Sequence, residues 1–118
     1  MTEVPGRLRT AAEFKRVYRT GRTYHSRSFT LRVAAADQAA DRSHPTAFGF
    51  VVSTKVSKSA VVRNRIRRRA REFVRRNAVV IAPGRAVAVI AKPSAAGLAS
   101  AETIAELSSL FKQATLIR

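Results

Sequence analysis

The residues best equipped for chemistry in this chain are arginines, and most are gathered in one place. Residues 63–76 read Arg-Asn-Arg-Ile-Arg-Arg-Arg-Ala-Arg-Glu-Phe-Val-Arg-Arg, with eight arginines and a single acid, Glu72. A guanidinium presents a rigid fork of donors that grips phosphate bidentately and stacks on bases. On a helix, Arg63/Arg67, Arg67/Arg71 and Arg68/Arg71/Arg75 fall three or four apart, and each like-charge pair costs roughly a few tenths of a kcal/mol. Bound phosphate reverses that cost, and release of its counterions drives association. Asn64 adds an amide that donates and accepts, suited to a base edge or a sugar hydroxyl. The implied chemistry is recognition of a polyanion.

The rest of the composition narrows the classes. The chain has 23 Lys and Arg against 7 Asp and Glu, a net charge of +16. Residues 77–118 contribute only +2, from Arg85, Lys92, Lys112 and Arg118 against Glu102 and Glu106, which leaves +14 on residues 1–76. Such clustering reads as a footprint for nucleic acid. The basic segments lack the large apolar faces of a membrane-surface helix. With no cysteine there is no disulfide, zinc knuckle or thiol nucleophile. His25 and His44 alone do not make a transition-metal site. The carboxylates are scattered, and Asp37 and Asp41 fall in an expected loop, so no two-metal nuclease centre is indicated. No metal ligand is therefore assigned to the protein. No apolar run nears the roughly 18 residues of a membrane span, and Met1 to Gly6 lacks a secretion signal. The expectation is a cytoplasmic protein with a single domain over residues 1–118, whose 46% apolar content suffices for a small core.

The elements that must carry the arginines can be read from periodicity. Thr10-Ala11-Ala12-Glu13 is a capping box opening a first helix, with Phe14, Val17 and Tyr18 on one face. Gly21 is expected to end it in a left-handed conformation. Residues 28–35 alternate and predict a strand, with Phe29, Leu31, Val33 and Ala35 on one face and Ser28, Thr30 and Arg32 on the other. His25 and His44 fall in expected loops. Ala47 to Ser53 predicts a second strand, with Phe48, Phe50 and Val52 on its core side. A basic turn from Thr54 to Lys58 follows, and Ser59 is positioned to cap a helix over about 60–77 with a buried stripe of Val62, Ile66, Ala70 and Phe73. Residues 78–82 fit either a helix end or an extended segment. Pro83-Gly84 forces a turn, and Arg85 to Ala91 predicts a third strand. Ser100 is expected to cap a last helix with Ile104, Leu107 and Phe111 as its stripe. The order is α-β-β-α-β-α, an α/β (α+β) two-layer sandwich with a small sheet covered mainly on one side.

Placed in register, these segments resemble a known family. Val52-Ser53-Thr54-Lys55, then Ser59-Ala60-Val61-Val62-Arg63-Asn64-Arg65-Ile66-Arg67-Arg68, then Arg71-Glu72, resemble the signature of the protein subunit of bacterial ribonuclease P. Leu8 and Glu13-Phe14-Lys15-Arg16-Val17-Tyr18-Arg19-Thr20-Gly21 are similar to that family's first helix, so the likeness runs through nearly the whole chain. The resemblance implies a left-handed β-α-β crossover around the basic helix, as in domain 2 of ribosomal protein S5; the general rule favours the right-handed form. It implies that an RNA is the catalyst and the protein its partner in removing the 5′ leader from precursor tRNA. The metal chemistry, with its magnesium requirement, then belongs to the RNA. Lys55, Lys58, Arg63, Asn64, Arg65, Arg67, Arg68 and Arg71 are the residues it implies for contact with the catalytic RNA. Phe14, Lys15, Tyr18 and Arg32 are those it implies for a cleft holding the single-stranded leader. Helix aromatics four apart also suit a core, and Tyr18, with its polar tip, is the better cleft residue of the two. This sequence departs from the family in three places. Arg32 replaces an aromatic found in some members, Thr54 stands where a second Lys is common, and Val56-Ser57-Lys58 replaces a glycine-containing turn.

Two other RNA-binding readings compete. Phe48-Gly49-Phe50-Val51 is similar to the centre of the aromatic strand of an RNA-recognition motif, although Thr46-Ala47 lacks the expected basic residue and glycine. A ribosomal or other structural RNA-binding protein would account for the charge alone. Neither reading calls for DNA as a partner.

Overall fold

The computed structural model describes residues 6–8, 10–35 and 45–117. Their order is β1 (Gly6–Arg7), α1 (Ala11–Thr20), β2 (Arg22–His25), β3 (Phe29–Ala35), β4 (Ala47–Val51), α2 (Ala60–Arg76), β5 (Arg85–Ala91), a 3-10 turn (Pro93–Gly97) and α3 (Ser100–Gln113). The strands form one five-stranded sheet ordered β1-β4-β5-β3-β2. β4 runs parallel to both β1 and β5, whereas β3 is antiparallel to β5 and to β2. Two strands join the three expected from periodicity. β1 is two residues long and β2 is a polar edge strand, so neither carries an apolar alternation. His25 accordingly lies on a strand, paired with Thr30, rather than in a loop. His44, Asp37 and Asp41 lie outside the described residues.

The two sheet faces are built differently. On one, Phe29, Leu31, Phe48, Val87 and Val89 meet Ile66, Ala70, Phe73 and Val74 of α2 and Leu107, Leu110 and Phe111 of α3. Phe111 is the hub: its ring stacks on Phe48 at 5.9 Å between centroids and takes the edge of Phe73 at 5.0 Å. Burying such rings is worth about 1.5–3 kcal/mol each, with further gain from ring geometry. On the other face the sheet presents small residues, and Ala34, Ala86 and Ala88 pack beneath Val17 of α1 beside Leu8. α2 and α3 thus cover one side, while α1 covers part of the opposite side.

Local details correct several expectations. Thr10 caps α1 by accepting from the Glu13 N–H at 3.1 Å, as expected. Gly21, however, is extended (φ −79°, ψ 153°) rather than left-handed. Its lack of a side chain matters for another reason: a Cβ there would lie 2.5 Å from the Val17 carbonyl oxygen and 3.3 Å from the Val33 backbone. The second strand stops at Val51, and Val52 to Lys58 forms the turn. Residues 78–82 are turn and bend. Gly84 adopts φ 76°, a left-handed conformation that favours glycine after Pro83. Ala99, not Ser100, precedes the first turn of α3, and the Glu102 carboxylate accepts the Ala99 N–H at 2.9 Å. Ile104 is 41% exposed, and Thr103 and Leu110 join Leu107 and Phe111 in the buried stripe instead.

Candidate nucleic-acid interface

α2 is anchored as its sequence dictates. Ser59 Oγ accepts the Val62 N–H at 3.3 Å, and Ile66, Ala70, Phe73 and Val74 are buried. That places the arginines on the outer surface and on two flanks. On the flank toward β4, Arg63 Nη1 donates to the Ser57 carbonyl at 2.9 Å, and Arg67 Nη2 donates to the Val52 carbonyl at 3.1 Å. On the flank toward α3, Arg65 Nη2 reaches the Ala96 carbonyl at 3.4 Å and Arg69 Nη1 the Leu98 carbonyl at 2.8 Å. The self-repulsion expected of the helix is thereby offset by backbone acceptors on both sides. Near its end, Glu72 accepts from Arg75 at 2.5 and 2.9 Å and from Arg76 at 3.0 Å. Those hydrogen bonds bring the Glu72 pKa down to about 2.

The outward-facing set is therefore smaller than the motif. Arg68 is exposed and makes no hydrogen bond or ion pair with the described residues. The Arg71 guanidinium lies over the Phe50 ring, 5.6 Å from its centre, so the expected core residue Phe50 is half-buried and cation-covered. Asn64 is exposed; its carbonyl oxygen accepts from Arg67 Nη1 at 2.8 Å, which leaves its amide N–H donors outward. Lys55 and Lys58 are exposed on the turn before α2. That turn is held by Val56, which is buried in the core, and by Ser57 Oγ, which accepts the Ser59 N–H at 3.1 Å.

The second group of predicted residues meets on the opposite sheet face. Phe14 lies directly over Gly49 of β4, where a Cβ would overlap its ring carbons and come within 3.2 Å of Leu8 Cβ. Tyr18 is one turn further on, its ring 6.4 Å from that of Phe14, and it is 39% exposed. Partial burial raises the Tyr18 pKa, an effect that the Arg32 charge partly opposes. Lys15 is exposed, about 100° around the helix from Phe14. Strand register then defines a floor beside α1. Val51, Ile90, Thr30 and His25 form one cross-strand row; the first three are half-buried and His25 is exposed. His25 Nδ1 and Thr30 Oγ1 are 3.1 Å apart. The next row, Gly49, Ala88, Arg32 and Thr23, passes under α1.

Arg32 does not face an empty floor. Nη1 donates to Thr23 Oγ1 at 2.7 Å, and Nη2 donates to the carbonyls of Tyr18 and Gly21. Gly49, Thr23, His25, Ile90 and Val51 were not singled out as site residues from sequence. Only Gly49 carried a usable signal, since a glycine inside a strand often marks close approach by another group. The likeness to an RNA-recognition motif fails on geometry: Phe48 is buried against Phe111 and cannot stack on a base. Among the described residues, no group of three His, Cys, Asp or Glu side chains could hold a metal ion, and no helix is long and apolar enough to cross a membrane.

Comparison with known proteins places this geometry. The family model for Ribonuclease P matches residues 4–115. The chain is 37% identical over 111 residues to the ribonuclease P protein component of Microcystis aeruginosa, covering 94% of this chain and 92% of that protein. It is 41% identical over 109 residues to that of Acidothermus cellulolyticus, covering 92% and 88%. The solved structure of the Staphylococcus aureus RNase P protein superimposes with a TM-score of 0.86 at 24% identity, covering 98% of this chain and all of that one. The Thermotoga maritima protein does so at 0.78 and 24% identity, covering 91% and 96%. At these identities the two structures speak for the fold.

Proposed function

This chain belongs to the ribonuclease P protein family, acting with the RNA subunit in tRNA 5′ processing without being the catalytic part, and on that premise we propose how its two surfaces divide the work. The outer face of α2 and the turn before it contact the catalytic RNA, through Lys55, Lys58, Asn64, Arg68 and Arg71. Arg63, Arg65 and Arg67 keep spare donors for phosphate while holding the flanking backbone. The groove between α1 and the sheet takes the single-stranded 5′ leader of precursor tRNA, with Phe14, Lys15 and Tyr18 along its wall. The protein works in the cytoplasm, and its positive charge lets two polyanions approach, lowering the magnesium that the RNA requires.

The observation that carries this reading is the position of β4 between the two surfaces. Phe50 on one face meets Arg71 of α2, while Gly49 on the other seats Phe14 of α1. Catalyst and leader would be held on either side of one strand, a geometry suited to delivering a flexible strand to an RNA active centre by positioning alone. Counterion release supplies affinity at α2, and stacking supplies grip in the groove.

Reconstitution tests the assignment. The protein mixed with a bacterial ribonuclease P RNA at low magnesium should accelerate leader release. Tyr18→Ala should weaken binding of precursor tRNA more than that of mature tRNA, whereas Arg68→Ala should weaken assembly with the catalytic RNA. Equal losses for both tRNAs in Tyr18→Ala would remove the leader from the groove.

A further inference from the structure

The groove contains a cation whose two terminal nitrogens already have partners inside the protein. Arg32 rises from β3 beneath the last turn of α1, and its two terminal nitrogens donate to the Thr23 hydroxyl and to the Tyr18 and Gly21 carbonyls. Its Nε is buried with no hydrogen-bond partner among the described residues. The guanidinium carbon lies 6.0 Å from the centre of the Tyr18 ring.

These contacts have a clear physical purpose. The last four carbonyls of a helix lack partners within it, and they form the negative end of its dipole. Arg32 meets one of them, Tyr18, together with the carbonyl of the capping residue Gly21. The third contact, Thr23, lies opposite Arg32 on β2, so the side chain joins the end of α1 to two strands at once. Gly21 permits the approach, because any Cβ there would strike the Val17 carbonyl and the Val33 backbone. Arg16 adds a second tie, from its Nη1 to the Ala35 carbonyl at 2.6 Å.

We propose that Arg32 is a positioning residue for the leader: it holds the final turn of α1, and with it Tyr18, at a fixed distance from the floor, and does not itself carry a leader phosphate. The inference rests on the groove being the leader site. It separates two roles that a cation in a nucleic-acid groove could play. A phosphate contact contributes to the salt dependence of binding, whereas a clamp acts through the geometry of its neighbours.

The experiment uses holoenzyme reconstituted with a bacterial ribonuclease P RNA, with fluorescent precursor tRNA and leaderless tRNA as ligands across a salt series. Arg32→Met should weaken precursor binding about tenfold and leave leaderless tRNA binding unchanged, with the salt slope of precursor binding as in the parent. Amide hydrogen exchange over residues 17–21 should accelerate in the same variant. Arg32→Lys, which keeps the charge but loses the fork, should restore only part of the affinity; should Arg32→Met not fold, faster amide exchange over residues 17–21 in Arg32→Lys, beside weakened precursor binding, carries the comparison. A salt slope lowered by about 0.7–0.9 with unchanged amide exchange would make Arg32 a phosphate contact and overturn the proposal. Unchanged precursor binding in both Arg32 variants, with Tyr18→Ala still impaired, would also overturn it while leaving the groove assignment standing. If Tyr18→Ala too retains full preference for the leader, the groove assignment fails and the clamp's role falls with it.

Discussion

The arginine helix and the groove under α1 reach order by opposite means. α2 carries eight arginines from residue 63 to residue 76, and it is held by four buried apolar residues and by guanidinium groups reaching carbonyls on both flanks. The groove side has little apolar bulk. There α1 lies on alanines and a glycine, close enough that hydrogen bonds from Arg16 and Arg32 hold its place. The difference teaches that charge density is a poor guide to which cations are free. Among the described residues, Arg68 in the crowded helix has no hydrogen-bond or ion-pair partner, whereas Arg32 in the sparse groove has three.

The largest effect should come from removing what holds α2 in place. Phe73→Ala should destabilise the protein by about 3–5 kcal/mol in urea unfolding, because its ring fills the space beside Phe111. A cost below about 1 kcal/mol would mean that α2 is not core-anchored, and the contrast between the regions would collapse. Next comes Gly49→Ala, whose new methyl group meets the Phe14 ring. A loss of about 1–3 kcal/mol is expected, with a selective loss of precursor binding as the groove wall shifts. Intact leader preference would show that the wall tolerates displacement.

Within α2 the two kinds of arginine should separate. Arg67→Ala should cost about 1 kcal/mol of stability through loss of its bond to the Val52 carbonyl. Arg68→Ala should leave stability unchanged and lower the salt slope of RNA binding by about 0.7–0.9. Identical behaviour of the two variants would erase the distinction drawn from their partners. The smallest effect is a pH dependence. Burial raises the Glu106 pKa, but hydrogen bonds from Ser26 and Ser28 outweigh it and leave the value below the usual carboxylate range. A carboxylate lowered in the folded state stabilises above its ordinary pKa, and that contribution is lost as pH falls through the lowered value. Parent and Glu106→Gln melting temperatures, followed from about pH 7 to about pH 3, should therefore converge at the acid end. Parallel curves would show that Glu106 does not secure the β2–β3 connection.

Much of this was legible in the residues themselves. Phe48, Val87, Ile66 and Phe73 follow strand and helix periods, and Ser59 marked the start of α2. The outcome at β2 was different. Of its four residues, Arg22 to His25, only Tyr24 packs on the core, too little for an alternation, so hydrogen bonding to β3 is what identifies them as a strand. Because β2 was not visible, neither was the pairing of Thr23 with Arg32, and Arg32 read only as a residue of the leader cleft. Ile104 misled for a related reason: helical spacing fits it to the stripe, but α3 is rotated so that Thr103 and Leu110 face the core. Periodicity reports which residues share a face, while the spending of a polar group depends on partners distant in sequence.

The carbonyl contacts of α2 have a consequence for its charge. Val52, Ser57, Ala96 and Leu98 act as an internal solvation shell for a charged helix, standing in for water and counterions along its edges. A helix that brings its own acceptors needs correspondingly fewer external anions to offset the repulsion along its edges.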